Sequence, residues 1–102
     1  MTKRFVDHLI QDRRLVILRL IKGAGGAAND SVLTAGVRMS GHETATRDDV
    51  RADLDFLKER GCITIDWFED KVRVAHLTER GQDVVAGRIE VDGVKKPSPG
   101  AS

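Results

Sequence analysis

Few side chains in this 102-residue chain carry chemistry beyond packing and charge. His8, His42, His76 and Cys62 are the only soft metal ligands, and no two of them have the close spacing of a zinc site. No metal and no other cofactor is expected. No Ser/His/Asp or Cys/His set converges along the chain either, so no catalytic residue is assigned and an enzyme is not expected. His42 and Glu43 lie in a polar turn, which explains them as well as a site would. The run Gly23-Ala24-Gly25-Gly26-Ala27-Ala28 has the composition of a phosphate loop. Such a loop needs a strand before it and a helix N-terminus after it, with Lys-Ser/Thr to reach the phosphates. Here a helix precedes and no such pair follows, so a flexible inter-helix loop is expected. What remains is the chemistry of arginine and lysine: planar forks and point charges that address phosphates and base edges.

The overall charge limits that chemistry. Seventeen Lys+Arg face 16 Asp+Glu, for a net charge of +1. Residues 1–51 carry 9 basic and 6 acidic side chains and residues 52–102 carry 8 and 10, so the halves stand at +3 and −2. A non-specific nucleic-acid binder would be far more basic, and any binding here depends on where the charges sit. The one cysteine excludes an intrachain disulfide. The longest apolar run, Leu15-Val16-Ile17-Leu18, is too short for a membrane span or a signal-peptide core. A cytoplasmic protein without a membrane partner is expected, with one domain over 1–88 and an extended or disordered tail over 89–102.

Periodicity sets out the elements that must position the basic residues. Val6, Leu9, Ile10, Val16, Ile17, Leu20 and Ile21 recur at helical spacing, predicting a helix from about Val6 to Lys22. Leu15 and Leu18 fall outside that stripe, which suggests a second buried side and a homodimer through the first helix. Asn29 or Asp30 can cap a second helix ending near Met39. Thr46, with Asp49 three residues on, resembles a capping box for a third helix that ends at Arg60-Gly61. Its core stripe is Val50, Leu54 and Leu57. The period then changes to two: Ile63, Ile65 and Trp67 alternate with polar neighbours, as do Val72 and Val74 after Glu69-Asp70. In the hairpin this predicts, Phe68 pairs with Lys71, Trp67 with Val72, Ile65 with Val74 and Ile63 with His76, while Asp66 faces Arg73. Val50, Leu54, Leu57, Ile63, Ile65, Val72 and Val74 are then expected to be buried together. Leu77-Thr78-Glu79-Arg80-Gly81 opens a short final helix.

The fold class is therefore mainly α with a small β-hairpin, in the order α-α-α-β-β-α. With Thr46-Arg47-Asp48-Asp49-Val50-Arg51-Ala52-Asp53-Leu54 running into Leu57 and then Gly61-Cys62-Ile63, the chain resembles the winged helix-turn-helix domains of small bacterial repressors over residues 6 to 88. Leu77-Thr78-Glu79-Arg80-Gly81 is similar to the exit from the wing in those families. The closing Val91-Asp92-Gly93-Val94-Lys95-Lys96-Pro97-Ser98-Pro99-Gly100 resembles a small winged-helix family encoded by Mu-like phages and prophages. The paired-cysteine signature of the metal-sensing arsenic-repressor branch is absent.

The resemblance implies double-stranded DNA as partner, with the third helix entering the major groove and the hairpin touching flanking DNA. Carried over position by position, the DNA-facing residues are Thr44, Thr46, Arg47, Arg51 and Ala52, with Lys71 and Arg73 on the wing. Against this stands the charge of the helix itself. Asp48, Arg51, Asp55 and Glu59 form an exposed ring in which acid outweighs base, and Arg51 has Asp48 and Asp55 at ion-pairing spacing. Arg13 and Arg14 can reach phosphates or serve as the solvated side of the first helix, alongside Lys3, Arg4 and Arg19. Phe56 and Trp67 are expected as packing residues. Two functions stay open: a phage- or prophage-encoded DNA-binding regulator of transcription, and a winged-helix module that binds a phage protein in assembly or DNA packaging.

Overall fold

A computed structural model describes residues 3–98. Met1, Thr2, the side chain of Lys3 and residues 99–102 lie outside that description, and with them Pro99 and Gly100 of the closing stretch. The elements are α1 (Lys3–Gly23), β1 (Ala27–Asn29), α2 (Asp30–Met39), α3 (Arg47–Glu59), β2 (Ile63–Phe68), β3 (Val72–Leu77) and α4 (Glu79–Val85). The order is the expected one with a short strand inserted after the first helix.

That strand corrects the expected loop. Gly25 and Gly26 take φ of 94° and 105°, a region open mainly to glycine, and turn the chain out of α1. The Leu77 amide then donates to the Gly26 carbonyl at 2.8 Å, and Ala27–Asn29 pairs antiparallel with β3. The sheet order is β1-β3-β2. Asn29 leaves the strand as the cap of α2, its side chain accepting from the Val32 amide at 2.8 Å.

The hairpin forms, one residue out of the expected register. Glu69 and Asp70 both enter the left-handed region (φ 52° and 58°), and the Lys71 amide donates to the Phe68 carbonyl. The turn thus uses up Lys71, and Phe68 pairs with Val72, Trp67 with Arg73, Asp66 with Val74 and Ile65 with Ala75. Because side chains alternate, one step exchanges the faces of β3. Ala75, opposite Ile65, becomes fully buried, whereas Val72 and Val74 are half-buried and stand outside the core. His76 sits opposite Thr64, not Ile63, and its ring meets Asp66 at 2.9 Å.

The core gathers around α1, which packs against α2, α3, α4, β1 and β3. A helix enclosed on so many sides buries more than one stripe. Leu15 and Leu18 are therefore within the chain's own core beside Ile17 and Ile21, which removes the reason given for a dimer. Val6 and Leu9, on the expected inner stripe near the start of α1, are instead exposed. Val50, Leu54 and Leu57 are fully buried on α3, as their spacing requires. Gly81 on α4 is also buried, and a Cβ there would overlap the Cys62 carbonyl, so only glycine permits this approach.

Segment 89–98 has no regular element, yet it is not a free tail. Val91 and Val94 join the core, the Lys95 amide donates to the Gln11 carbonyl at 3.1 Å, and Arg14 donates to the Gly93 carbonyl at 3.0 Å. Two buried valines and these bonds hold a stretch whose composition alone suggested disorder. No helix among the described residues is long and apolar enough to cross a membrane.

Candidate nucleic-acid interface

The site is built on α3 and its approach. Thr46 stands in extended backbone (φ −94°, ψ 165°), and its hydroxyl accepts from the Asp49 amide at 3.0 Å. The Asp49 carboxylate accepts in return from the Thr46 amide at 2.9 Å, closing the box. That backbone hydrogen bond holds the Asp49 carboxyl below the ordinary carboxylate range. The turn between α2 and α3 is fixed from two sides. Arg38 donates to the Ala45 carbonyl at 2.7 Å, and the His42 ring meets Asp12 of α1 at 2.8 Å. Burial of Asp12 works to raise its pKa, but hydrogen bonds from His42 and Lys95 outweigh it and the carboxyl lies below its usual range.

Beyond the cap, three arginines reach one surface from two elements. Arg47 is exposed and donates to the Ser31 hydroxyl at 2.9 Å. Arg51 donates through Nε to Asp30 at 2.9 Å, so its expected partners Asp48 and Asp55 are not the ones it takes. The α2–α3 crossing, invisible to spacing along one helix, brings the first residue of α2 beneath Arg51. Arg73 meets Asp55 and the Arg51 carbonyl, each at 3.5 Å, and its guanidinium lies 5.1 Å from the Trp67 ring centre. Its expected partner Asp66 is lost to the register change. Ala52 is exposed on the same helix, and Lys71 is exposed at the wing tip. Thr44 lies in a groove of about 300 Å³ against α1, among Leu9, Arg13, His42 and Asp49. The structure thus unites Arg47, Arg51 and Arg73 on one side of the helix-turn-helix, with the exposed Ala52 further round α3 and Thr44 lying toward α1.

Two aromatic expectations diverge. Phe56 is a packing residue, held between the guanidinium groups of Arg14 (3.7 Å) and Arg60 (4.4 Å). Trp67 is 54% exposed, because its alternation carries it past the end of the core to a position under Arg73. Arg13 and Arg14 do not face solvent as free cations. Both donate to Asp53, which is 1% exposed, and thereby tie α3 to α1. Asp30 and Asp53 are the residues that the linear pattern does not reveal, since each finds its partner on another element. Among the described residues, no group of three His, Cys, Asp or Glu side chains could hold a metal ion, and Cys62 is buried with its thiol pushed up by that burial.

Four helices and a three-stranded antiparallel sheet, with a capped third helix beside a β-hairpin, define a winged helix-turn-helix protein. The chain is 43% identical over 95 residues to gp26, an uncharacterized protein of Escherichia phage Mu, covering 93% of this chain and 97% of that one. It belongs to the family of phage Mu gp26. An uncharacterized protein of Haemophilus influenzae is 41% identical over 76 residues, 74% of each chain. No family model matches. In fold, the chain is similar to one in the complex structure of hsRosR-S4, with a TM-score of 0.64 at 18% identity over 72% of this chain. This chain spans 62% of that one's length.

Proposed function

We propose that this is a phage- or prophage-encoded DNA-binding protein that regulates transcription in the cytoplasm. The observation that carries the reading is the convergence of Arg47, Arg51 and Arg73 on the exposed side of α3 and the wing. In this docking mode Arg47 and Arg51 read or position the duplex from the major groove, and Ala52 approaches base edges. Thr44 and Thr46 bind phosphates, while Lys71 and Arg73 act from the wing. Thr46 can still donate its hydroxyl proton, because the cap uses only the oxygen as acceptor.

The same face limits indiscriminate binding. Arg47, Arg51, Arg73 and Lys71 are matched in number by Asp30, Asp48, Asp55 and Glu59. Non-specific affinity is therefore expected to be weaker than the roughly 10⁻⁴–10⁻⁶ M of dedicated binders at physiological salt. Duplexes selected from a random pool should bind, and Arg47→Ala or Lys71→Ala should weaken that binding. Loss of one phosphate contact should flatten the slope of log affinity against log salt by roughly 1. If selection enriches nothing and Asp48→Lys with Asp55→Lys creates no duplex binding, groove entry by α3 is wrong.

Half-site reading calls for two copies with their third helices about 34 Å apart. Since Leu15 and Leu18 are buried, a homodimer through the first helix would use its first turns, where Val6 and Leu9 are exposed. Sedimentation is expected to show a dimer at high micromolar concentration that Leu9→Glu converts to monomer. Only monomer in the wild type would remove the paired-helix geometry.

A second reading, a module binding a phage protein in assembly or DNA packaging, is favoured by the acidic exposed face of α3, where Asp48, Asp55 and Glu59 outnumber the bases beside them, and by Trp67 and Phe68, which are 54% and 61% exposed on the wing. Under it, substitutions on the α3 face would abolish capture of that phage protein while no duplex is enriched.

A further inference from the structure

Resting on the DNA reading above, we infer that Asp30 is a positioning residue that aims the Arg51 fork, and so contributes to sequence preference without itself touching DNA. Asp30 opens α2 and is 3% exposed, a burial unusual for a carboxylate without a partner. Capping does not account for it, because Asn29 already satisfies the Val32 amide. The Asp30 backbone is also committed, its carbonyl accepting from the Thr34 hydroxyl at 2.7 Å. The carboxylate instead crosses to α3 and accepts from Arg51 Nε at 2.9 Å.

The two ends of this pair differ in freedom. The Asp30 side chain is 5% exposed and that of Arg51 36% exposed, so the acceptor is fixed and the guanidinium is partly open. A bond at Nε engages one edge of the planar fork and leaves the terminal nitrogens as donors. Arginine on a bare helix surface would lose several side-chain rotations on meeting a base edge. Here much of that ordering is already in place. Arg73 also donates to the Arg51 main-chain carbonyl at 3.5 Å, which ties the wing to the same turn of α3.

Aim and charge predict opposite results for Asp30→Ala, which removes the acceptor oxygens together with the charge. If the carboxylate merely offsets positive charge, its loss tightens binding to every duplex and leaves sequence preference intact. If it aims the fork, the ratio of affinities between a selected duplex and its variant at the base pair read by Arg51 falls roughly ten-fold, as expected for losing a bidentate base contact. That base pair is found by comparing selections with wild type and Arg51→Ala. The double variant Asp30→Ala with Arg51→Ala should lose no more discrimination than Arg51→Ala alone. Arg51→Lys, at a partly exposed position and keeping the charge, supplies a variant in which the buried Asp30 carboxylate retains a cationic partner. It should lose the same discrimination, because an ammonium has no fork to aim. Preserved discrimination in Arg51→Lys or in folded Asp30→Ala overturns the inference while leaving DNA binding intact. A wild-type protein that enriches no duplex overturns the DNA reading and the inference together.

Discussion

Replacing Asp53 with alanine is expected to destabilise the fold by about 3–5 kcal/mol, the cost of removing one partner from a buried ion pair. Asp53 is 1% exposed, and the side chains of Arg13 and Arg14 are only 14% and 19% exposed. Without the carboxylate, two guanidinium groups lose their common acceptor and have little water to replace it. Arg14 would keep the Gly93 carbonyl and the Phe56 ring, which places the expected loss below that of two wholly stranded charges. The loss is still a large share of the roughly 5–15 kcal/mol that holds a small domain together. Chemical denaturation should show a midpoint shift at nearly constant slope. Asp53→Asn, which keeps an acceptor oxygen but no charge, should fall between wild type and alanine. A midpoint unchanged in Asp53→Ala would show that the α1–α3 contact does not depend on this cluster.

Leu54→Ala is expected to cost about 2–5 kcal/mol, the range for deleting a buried leucine side chain. Leu54 is fully buried at the centre of the α3 stripe, between Val50 and Leu57, and belongs to the core cluster that α1 shares. The informative companion is Val74→Ala. On the expected register Val74 would be a core residue with a comparable cost, whereas in the structure it is half-buried and paired with Asp66. Its truncation should therefore cost distinctly less than that of Leu54. Equal losses in denaturant melts would contradict the observed pairing of β2 and β3.

Those two residues separate what could be read along the chain from what could not. Leu54 was legible because a helix repeats on itself. Thr46, Asp49, Val50, Leu54, Leu57 and Gly61 all lie in or directly beside one element, and their spacing alone specifies its start, its buried face and its end. Asn29 and Thr78 mark helix starts in the same way. The third helix of a winged domain was thus evident from local chemistry.

Val74 was not legible in the same sense. Its face depended on whether the turn consumed two residues or three, and the left-handed conformations of Glu69 and Asp70 settled that only in the folded hairpin. A strand of three residues such as Ala27–Asn29 has too little periodicity to stand out, and it exists because β3 offers an edge. Leu15 and Leu18 lay off a stripe that assumed one buried side, but α1 is covered from several. The ion pairs changed for a related reason. Arg51 had acids in its own helix, yet the crossing of α2 brought the buried Asp30 within 2.9 Å, and Arg73 exchanged Asp66 for Asp55 with a single step of register. The sequence by itself determined the helices, the hairpin and the residue types available to the candidate interface. The tertiary structure decided which charges meet, because those partners lie on different elements and only packing sets their distance.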